Sequence, residues 1–335
     1  MEKILTISIA AYNVEKYLEK LLDSIISADV LNETEVLVVN DGSKDSTVAI
    51  AKKYEEQYPN SIFLVNKENG GHGSTINKGI ELAKGKYFKV IDGDDWVDSK
   101  GLKKVVEKLK QTDTDLVVCD YQEHYEASDV ILDKSYPELV PEKRQQFHDV
   151  AANLNRVVFH AGIFRTAILK ENNIRIDENS FYVDVEYMLY PIPYIHTIIY
   201  YPINVYCYRL ENAGQSMSYT SLQKNIKQHE NVSKHVIKFY KEKCKGCSED
   251  VKKYLIRCIV LLYNKTYEIY FSFPCKKQYM LRLEAFDNYV KETSIEAYSA
   301  IPAKTIKFFR KNIRLLYPIT WLWLRFKGKK CGRNN

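Results

Sequence analysis

The sequence predicts an α/β fold in which a mainly parallel sheet is flanked by helices, followed by a helical C-terminal region. Over the first 120 residues, short apolar runs rich in β-branched side chains alternate with amphipathic segments, a pattern typical of βαβ units. From residue 221 to 300 the apolar residues recur at helical spacing instead, most clearly over 254–270. These two observations define the predicted fold class.

The predicted strands and helices of the first 120 residues follow one another in a regular order. The strands are 4–10, 35–39, 62–65, 87–91 and 116–119, and the helices between them are 14–27, 45–58, 75–83 and 100–109. Right-handed crossovers join such strands, and open sheets of this kind bind ligands beyond the carboxyl ends of their strands. The loops that follow the strands are therefore where a site is expected.

Charge is distributed unevenly along the chain. The protein has 335 residues and a formal net charge of +6, but ten Lys or Arg and no Asp or Glu lie between Lys304 and Arg333. The remaining residues hold 39 bases against 43 acids. A nucleic-acid-binding surface over the main body is therefore not expected.

The cysteines and the N-terminus favour a reducing, cytoplasmic location. Seven cysteines, an odd number, are scattered through the chain, which fits free thiols better than a disulfide framework. Cys244 and Cys247 have no second close pair of ligands nearby in sequence, so a polar turn is favoured over zinc. The first nine residues do not resemble a signal peptide, and no apolar run reaches the ~18 residues of a spanning helix.

The sharpest motif is Asp92-Gly93-Asp94-Asp95, which follows the fourth predicted strand. Carboxylates two residues apart on an extended backbone point the same way, and glycine permits a tight bend between them. Such a pair can hold a hard divalent cation that completes its shell with water and phosphate oxygens. The alternative is an acidic turn before a helix that Asp98 or Ser99 caps.

Two further loops carry polar residues after predicted strands. Asp41 follows the second strand. The polar residues after it suit an Asx turn and a helix N-cap, whereas Asp41 itself lies nearer the strand end, where it could contact a ligand. Asn69–Gly73 follows the third strand but lacks the third glycine of a dinucleotide fingerprint. The chain contains no phosphate-loop motif, and no glycine follows the first strand. The dehydrogenase and P-loop classes are therefore excluded.

A second pair of carboxylates, Asp184 and Glu186, lies among aromatic residues. A sugar hydroxyl becomes a competent nucleophile when a positioned carboxylate takes its proton. The alternative is two solvated acids near the start of a helix or strand.

In order along the chain, these segments resemble the family 2 glycosyltransferases with the GT-A fold, which are common in bacterial surface-polysaccharide pathways. The resemblance covers residues 4–220. The opening strand and helix of the family resemble residues 8–18, its nucleobase-binding segment resembles 40–47, and its glycine-rich stretch resembles 69–87. Its metal motif resembles Asp92–Asp95, and the motif that carries its general base resembles the segment at Asp184. A late Tyr-Arg…Ser element resembles Tyr208-Arg209 with Ser216 and Ser218.

The resemblance implies a role for each motif residue. Asp94 would bind Mn²⁺ or Mg²⁺, and Asp184 would deprotonate the acceptor hydroxyl for direct inversion at the anomeric carbon, with Glu186 as a rival base. Asp41 would bind the base edge, and Asp92 the ribose. The other residues expected to bind the nucleotide-sugar, a UDP-sugar by this resemblance, are Ala11, Tyr12, Asn13, Asn69, Gly71, Gly93 and Arg209.

The sequence departs from the family pattern at three places. The usual proline of the opening strand is Ala10 or Ala11, an expected arginine is Ile76, and the base motif reads Val183-Asp184. A nucleotidyltransferase would also use paired carboxylates and Mg²⁺, but its basic glycine-rich loop after the first strand is missing. An inactive sugar-binding scaffold is the other alternative, against which the joint retention of the acidic motifs argues.

The resemblance and the composition together give the expected domain organisation. A catalytic domain is expected over 1–220, with nucleotide-sugar binding in 1–120 and the acceptor side in 121–220. A helical region over 221–303 precedes a basic, aromatic tail over 304–335, which we expect to lie on the inner membrane surface. The expected acceptor is a saccharide or a lipid-linked saccharide, and the expected location is the cytoplasmic face of the membrane.

Overall fold

The computed structural model describes residues 3–210, 219–302 and 304–330. They form two compact units. The first holds the described residues up to 210 together with 248–254, and the second holds the described residues of 219–247 and those from 255 onwards. The domain borders expected at residues 220 and 303 remain predictions.

The first unit is built around one mixed sheet, which has ten strands in the described residues. The strands are β1 (Leu5–Ala11), β2 (Thr34–Asn40), β3 (Ile62–Asn66), β4 (Tyr87–Asp92), β5 (Trp96–Val97), β6 (Leu116–Tyr125), β7 (Val130–Lys134), β8 (Gln145–Gln146), β9 (Gly162–Arg165) and β10 (Thr197–Leu210).

The order of the strands is β3-β2-β1-β4-β9-β6-β10-β5, with β7 on β6 and β8 on β10. The neighbours among β1 to β4 pair in parallel, as β6 and β10 also do. β9 is antiparallel to both β4 and β6 and joins these two parallel groups. The predicted α/β fold is confirmed, and its parallel part is the half in which strands and helices alternate in sequence.

The helices of the first unit cover the sheet. They are α1 (Leu18–Ile26), α2 (Thr47–Gln57), α3 (His72–Leu82), α4 (Ser99–Gln111), α5 (Phe147–Val150), α6 (Thr166–Glu171) and α7 (Asp184–Leu189), with a 3₁₀ turn at Ile192–Tyr194. Because both faces of the parallel strands are covered, β1 and β2 are buried along almost their whole length. Asp98 caps α4, since its carboxylate accepts a hydrogen bond from the Gly101 N–H at 2.6 Å.

The second unit is helical, as predicted for this region. Its helices are α8 (Tyr219–Lys224), α9 (Ile226–Lys243), α10 (Glu249–Ser272), which starts in the first unit, α11 (Lys277–Thr293), α12 (Ile295–Ser299), α13 (Lys304–Phe309) and α14 (Ile313–Lys330). A buried ion pair holds the turn directly after α13 to α11, because Arg310 Nε lies 2.7 Å from Asp287 Oδ1. Within the described residues, no helix is both long enough and apolar enough to cross a membrane.

The structure corrects several predicted element ends. The first helix begins at Leu18 rather than at residue 14, because residues 14–17 form a turn. α3 begins earlier than predicted, at His72, since Gly71 has a positive φ of 78° that starts the helix directly after the glycines. The fifth predicted strand extends to Tyr125, because it pairs with β7 and β10 beyond Cys119.

Candidate active site

The acidic turn after β4 lies at the carboxyl end of the parallel strands. Asp92 is the last residue of β4, and the Gly93 N–H donates to the Ala10 carbonyl of β1 at 3.0 Å. A Cβ on Gly93 would lie 2.8 Å from that same carbonyl oxygen, so only glycine fits this close approach. The predicted site is thus at the sheet edge where ligands bind in such folds.

Asp95 has a structural role in this turn. Its buried carboxylate accepts hydrogen bonds from the Tyr206 hydroxyl at 2.5 Å and from the Arg209 N–H at 2.7 Å. Burial, together with the charges of Asp94 and Asp92, raises the pKa of Asp95 well above its usual range. Asp95 therefore ties the acidic turn to β10, while the first two carboxylates face other partners.

Asp92 and Asp94 have the chemistry of a divalent-metal site. Carboxylate oxygens of Asp92, Asp94 and Asp95 all lie within 4.8 Å of one another. Burial, and then the neighbouring charge of Asp92, raises the pKa of Asp94 to about 6. Among the described residues, no other side chain hydrogen-bonds to the Asp94 carboxylate. A cluster of carboxylate oxygens in which Asp92 and Asp94 remain partly exposed, and in which burial and repulsion both disfavour the charge of Asp94, fits a hard cation such as Mg²⁺ or Mn²⁺.

His72 meets Asp92 from the glycine-rich loop. Its Nε2 lies 2.9 Å from Asp92 Oδ1, although the contact lacks the alignment of a hydrogen bond. Burial is the largest single influence and disfavours both charges, but it is outweighed by the attraction between them together with the charges of Asp184 and Asp94 on His72 and of His160 on Asp92. As a result the pKa of His72 is raised and that of Asp92 is lowered. In the sequence His72 is a single histidine within the glycine-rich loop, which is weak evidence for a functional role. Only the tertiary structure shows that it lies beside Asp92.

Asp41 is buried and organises the glycine-rich loop. Its carboxylate accepts hydrogen bonds from the N–H groups of Gly70 and Gly71 at 2.9 and 2.8 Å. Lys67 Nζ and the Ser74 hydroxyl donate to it as well, at 2.6 and 3.2 Å. The sequence-based role for Asp41 was a base contact, and the structure adds a network that holds the loop through the carboxylate.

The other residues expected at the nucleotide surround this loop. Ala11 is fully buried at the end of β1, and its carbonyl accepts from the Asp41 N–H at 2.9 Å. Tyr12 is 49% exposed beside it. Asn13 has a positive φ of 54°, and its side chain accepts from the Lys44 N–H at 2.8 Å. Asn69 donates from its side chain to the Asp41 carbonyl at 2.9 Å.

Arg209 packs against the acidic turn from β10. Its Nε donates to the Asp94 carbonyl at 2.7 Å, and its guanidinium pairs with Glu126. The guanidinium also lies over the ring of Trp96, 4.9 Å from its centroid. Ser216 and Ser218, the other part of the expected late motif, lie outside the described residues.

Asp184 and Glu186 have different surroundings although both belong to α7. Glu186 is fully buried and accepts hydrogen bonds from the Asp177 N–H at 2.8 Å and from the Tyr190 hydroxyl at 2.9 Å. Asp184 is partly exposed, and none of the described side chains donates a hydrogen bond to its carboxylate. Burial raises the pKa of Asp184, which also interacts with the charges of Arg156, His72 and Asp92.

Sequence reasoning missed two residues behind the acidic turn. Lys89 is fully buried on β4, and its ammonium donates to the His160 carbonyl at 2.7 Å. The His160 ring stacks on Tyr208, with centroids 4.2 Å apart, and burial lowers its pKa to about 3. A lysine within the apolar strand Tyr87–Ile91 was the available signal, because a buried ammonium requires a dedicated partner.

Curated relatives match a part of the chain. The putative glycosyltransferase EpsH of Bacillus subtilis is 34% identical over 125 residues, which are 37% of this chain and 36% of that protein. The minor teichoic acid biosynthesis protein GgaB of the same organism is 40% identical over 87 residues, 26% of this chain and 10% of that protein. The chain thus spans at most about a third of the length of these relatives.

Solved structures match nearly the whole chain in fold. Staphylococcus aureus TarS 1–349 in complex with UDP-GlcNAc superimposes with a TM-score of 0.60 at 18% identity, covering 92% of this chain and 91% of that one. The mannosyltransferase PcManGT of Pyrobaculum calidifontis, in complex with GDP-Man and Mn²⁺, gives a TM-score of 0.50 at 17% identity. It covers 89% of this chain and 85% of that one. At such identities the likeness supports the fold.

The family assignment rests on the segment that contains β1 to β4 and the acidic turn. The family model Glycosyl transferase family 2 matches residues 6–171. Since the solved structures agree with this one in fold over most of the chain and EpsH is named as a putative glycosyltransferase, residues 6–171 belong to a family 2 glycosyltransferase domain with the GT-A fold.

Proposed function

We propose that this protein is an inverting glycosyltransferase, which moves a sugar from a nucleotide-sugar onto a saccharide or lipid-linked saccharide acceptor. The observation that carries the proposal is the meeting of three groups at one sheet edge. The Asp92–Asp94 turn, His72 of the glycine-rich loop and Asp184 of α7 interact through their charges. A partly exposed acidic turn beside a second partly exposed carboxylate suits the handling of a charged leaving group and of an acceptor proton.

The proposed donor is a UDP-sugar. TarS, which shares the fold, has been solved with UDP and with UDP-GlcNAc. Beside Asp41, the exposed ring of Tyr12 offers an aromatic face for a nucleotide base. The Gly70 and Gly71 N–H groups hold the neighbouring loop in place through Asp41.

A divalent cation would be held by Asp94, with Asp92 beside it. When bound, Mg²⁺ or Mn²⁺ would offset the charge of the diphosphate leaving group. The raised pKa of Asp94 supports this role, because burial and then the proximity of Asp92 make its negative charge costly without a neighbouring positive charge. Asp95 would not contribute a free carboxylate, since Tyr206 and Arg209 already use it.

In the proposed reaction Asp184 acts as the base. Its carboxylate takes the proton of the acceptor hydroxyl, whose oxygen attacks the anomeric carbon from the side opposite the leaving group. The new glycosidic bond forms as the bond to the diphosphate oxygen breaks, and the nucleoside diphosphate leaves with that electron pair. Glu186 is unsuited to this role, because it is buried and already accepts two hydrogen bonds.

Surface-polysaccharide synthesis is the proposed setting. GgaB, similar over 87 residues, is named for minor teichoic acid biosynthesis, and a polymer of that kind would supply a saccharide or lipid-linked acceptor. A location at the cytoplasmic face of the membrane stays a prediction of the sequence.

The test is release of nucleoside diphosphate from a panel of nucleotide-sugars, with and without Mn²⁺ or Mg²⁺, in wild type and Asp94→Asn. We expect metal-dependent release from a UDP-sugar and a loss of about a hundredfold or more in the variant, since it removes a charge that faces the cation. Release of pyrophosphate from a nucleoside triphosphate would indicate a nucleotidyltransferase instead. Sugar-nucleotide binding without turnover across a panel of saccharide acceptors would indicate a scaffold.

A further inference from the structure

The last helix, α14, has two different apolar faces. The first consists of Ile313, Tyr317, Thr320 and Trp321, and it packs inside the second unit. The Tyr317 ring stacks on Phe271 with centroids 5.6 Å apart, and Trp321 Nε1 donates to the Phe273 carbonyl at 2.7 Å. This face accounts for the packing of the helix on its own unit.

The opposite face is exposed and equally apolar. Leu315, Ile319, Leu322 and Trp323 are 65%, 53%, 49% and 47% exposed. Their spacing puts them within an arc of about 100° on the helix surface. Phe308 of α13 is also exposed, at 48%. Intramolecular packing explains the first face of α14 and leaves the second in contact with solvent.

The charge of the chain segment that contains this exposed face has a single sign. Lys304, Lys307 and Lys311 of the α13 segment are exposed, and four more bases lie between residues 325 and 330 of the sequence. No Asp or Glu follows Glu296. Two other bases serve within the unit, since Arg310 pairs with Asp287 and Arg314 with Glu284. Lys304, Lys307 and Lys311 form no ion pair within the described residues, so their charge is available to an anionic partner.

We infer that the exposed arc of α14, with the lysines of α13, is a docking surface for an anionic lipid bilayer. An interfacial helix buries leucine and aromatic side chains at the boundary between headgroups and acyl chains, and its bases meet lipid phosphates. A protein partner could also bury Trp323, but the bases of this segment, with no Asp or Glu after Glu296, favour the continuous anionic surface of a bilayer. This surface adds a partner to the proposed function and does not depend on the identity of the donor.

Truncation of the tail cannot test this inference, because Phe309, Ile313 and Tyr317 belong to the core of the unit. The test uses the full chain with Leu315, Ile319, Leu322 and Trp323 all changed to Gln. Its matched control changes three similarly exposed apolar residues of the same unit, Leu261, Leu281 and Ile295, to Gln. A third variant changes Lys304, Lys307 and Lys311 to Gln.

Co-sedimentation with phosphatidylglycerol-containing vesicles, and with phosphatidylcholine vesicles, is the measurement. We expect wild type and control to bind the anionic vesicles in a salt-sensitive way. The arc variant and the lysine variant should each bind about tenfold more weakly or worse. Thermal melting shows whether each variant is folded. Insertion is measured independently of the arc variant, by the quenching of wild-type Trp fluorescence by brominated lipid, which should be lost in Trp323→Phe.

Three results would overturn the inference. The first is a wild-type protein that ignores anionic vesicles at low salt. The second is an arc variant that is folded and binds them as well as the control does. The third is self-association of the wild type, seen in sedimentation and abolished in the arc variant, because the arc would then be a contact between two copies of this chain.

Discussion

Asp184 and Glu186 lie two residues apart on α7, yet only Asp184 keeps a carboxylate without a hydrogen bond from the described side chains. Glu186 accepts from the Asp177 N–H and from the Tyr190 hydroxyl. One residue is therefore available to a substrate, while the other holds the segment that presents it.

We predict that Asp184→Asn abolishes sugar transfer but leaves donor binding unchanged, because the amide cannot take the proton of the acceptor. Transfer should fall by about a thousandfold, while the Kd for UDP stays within about twofold. Glu186→Gln should retain most of its activity, since the Gln amide can accept from the Asp177 N–H and donate to the Tyr190 oxygen. The measurements are steady-state kinetics and UDP calorimetry, and an active D184N beside an inactive E186Q would reverse the assignment.

We predict that Glu186 makes the protein less stable as pH rises. Burial raises the pKa of Glu186 to about 8, whereas the unfolded value is about 4.3. Between about pH 4.3 and about pH 8, Glu186 therefore keeps a proton in the folded state that it has lost in the unfolded state. The stability that depends on this proton is fully present below the unfolded pKa and is lost as pH rises through the folded pKa. The free energy of unfolding falls by about 1.4 kcal/mol per pH unit in between.

Urea denaturation from pH 5 to 8.5 measures this effect. The stability of Glu186→Gln should fall less over the window than that of the wild type, because Gln has no proton to lose. Asp23→Asn serves as a control, because the Asp23 carboxylate of α1 accepts a hydrogen bond from the Tyr54 hydroxyl of α2, away from Glu186 in the sequence. Parallel pH profiles for wild type and E186Q would show that Glu186 is ionised in the folded state.

We predict that Asp41→Ala costs about 3 kcal/mol of folding stability, because it leaves the Gly70 and Gly71 N–H groups and the Lys67 ammonium without their acceptor. Lys67→Met should cost less, about 1 kcal/mol, since the backbone donors still satisfy Asp41. Chemical denaturation with and without UDP measures both. If Asp41 also binds the base, the D41A variant loses stabilisation by UDP that K67M keeps; an unchanged stability in D41A would contradict the network.

We predict that Lys89→Met is as stable as wild type at neutral pH but binds its acceptor less well. Burial lowers the pKa of Lys89 to about 8, so a charged ammonium is costly there and an apolar side chain of similar length removes that cost. The variant also leaves the His160 carbonyl without its donor, at a cost of about 1–2 kcal/mol that offsets this gain, and it alters the support of the ring that stacks on Tyr208. The expected result is an unchanged Tm with a several-fold higher acceptor KM, whereas a large fall in Tm would make Lys89 a structural residue only.

The sequence by itself determined the class of fold and the location of the acidic turn. Apolar runs of five to seven residues separated by amphipathic helices leave few topologies for residues 1–120. Asp92, Gly93 and Asp94 could be found because a local bend and two neighbouring carboxylates are properties of adjacent residues. The order of motifs was sufficient for the resemblance to family 2 glycosyltransferases, which the match over residues 6–171 bears out.

Only the tertiary structure decided which polar groups are engaged by protein partners. Asp41 and Gly70 are 29 residues apart, and Asp95 and Tyr206 are 111 apart, so no local pattern could show that these carboxylates are already satisfied. The same holds for the faces of α14. A periodic apolar sequence is compatible with burial on either side, and only packing against Phe271 and Phe273 shows which side remains exposed. Partners distant in sequence are selected by the folded chain as a whole, because burial and hydrogen bonding depend on every neighbour in space.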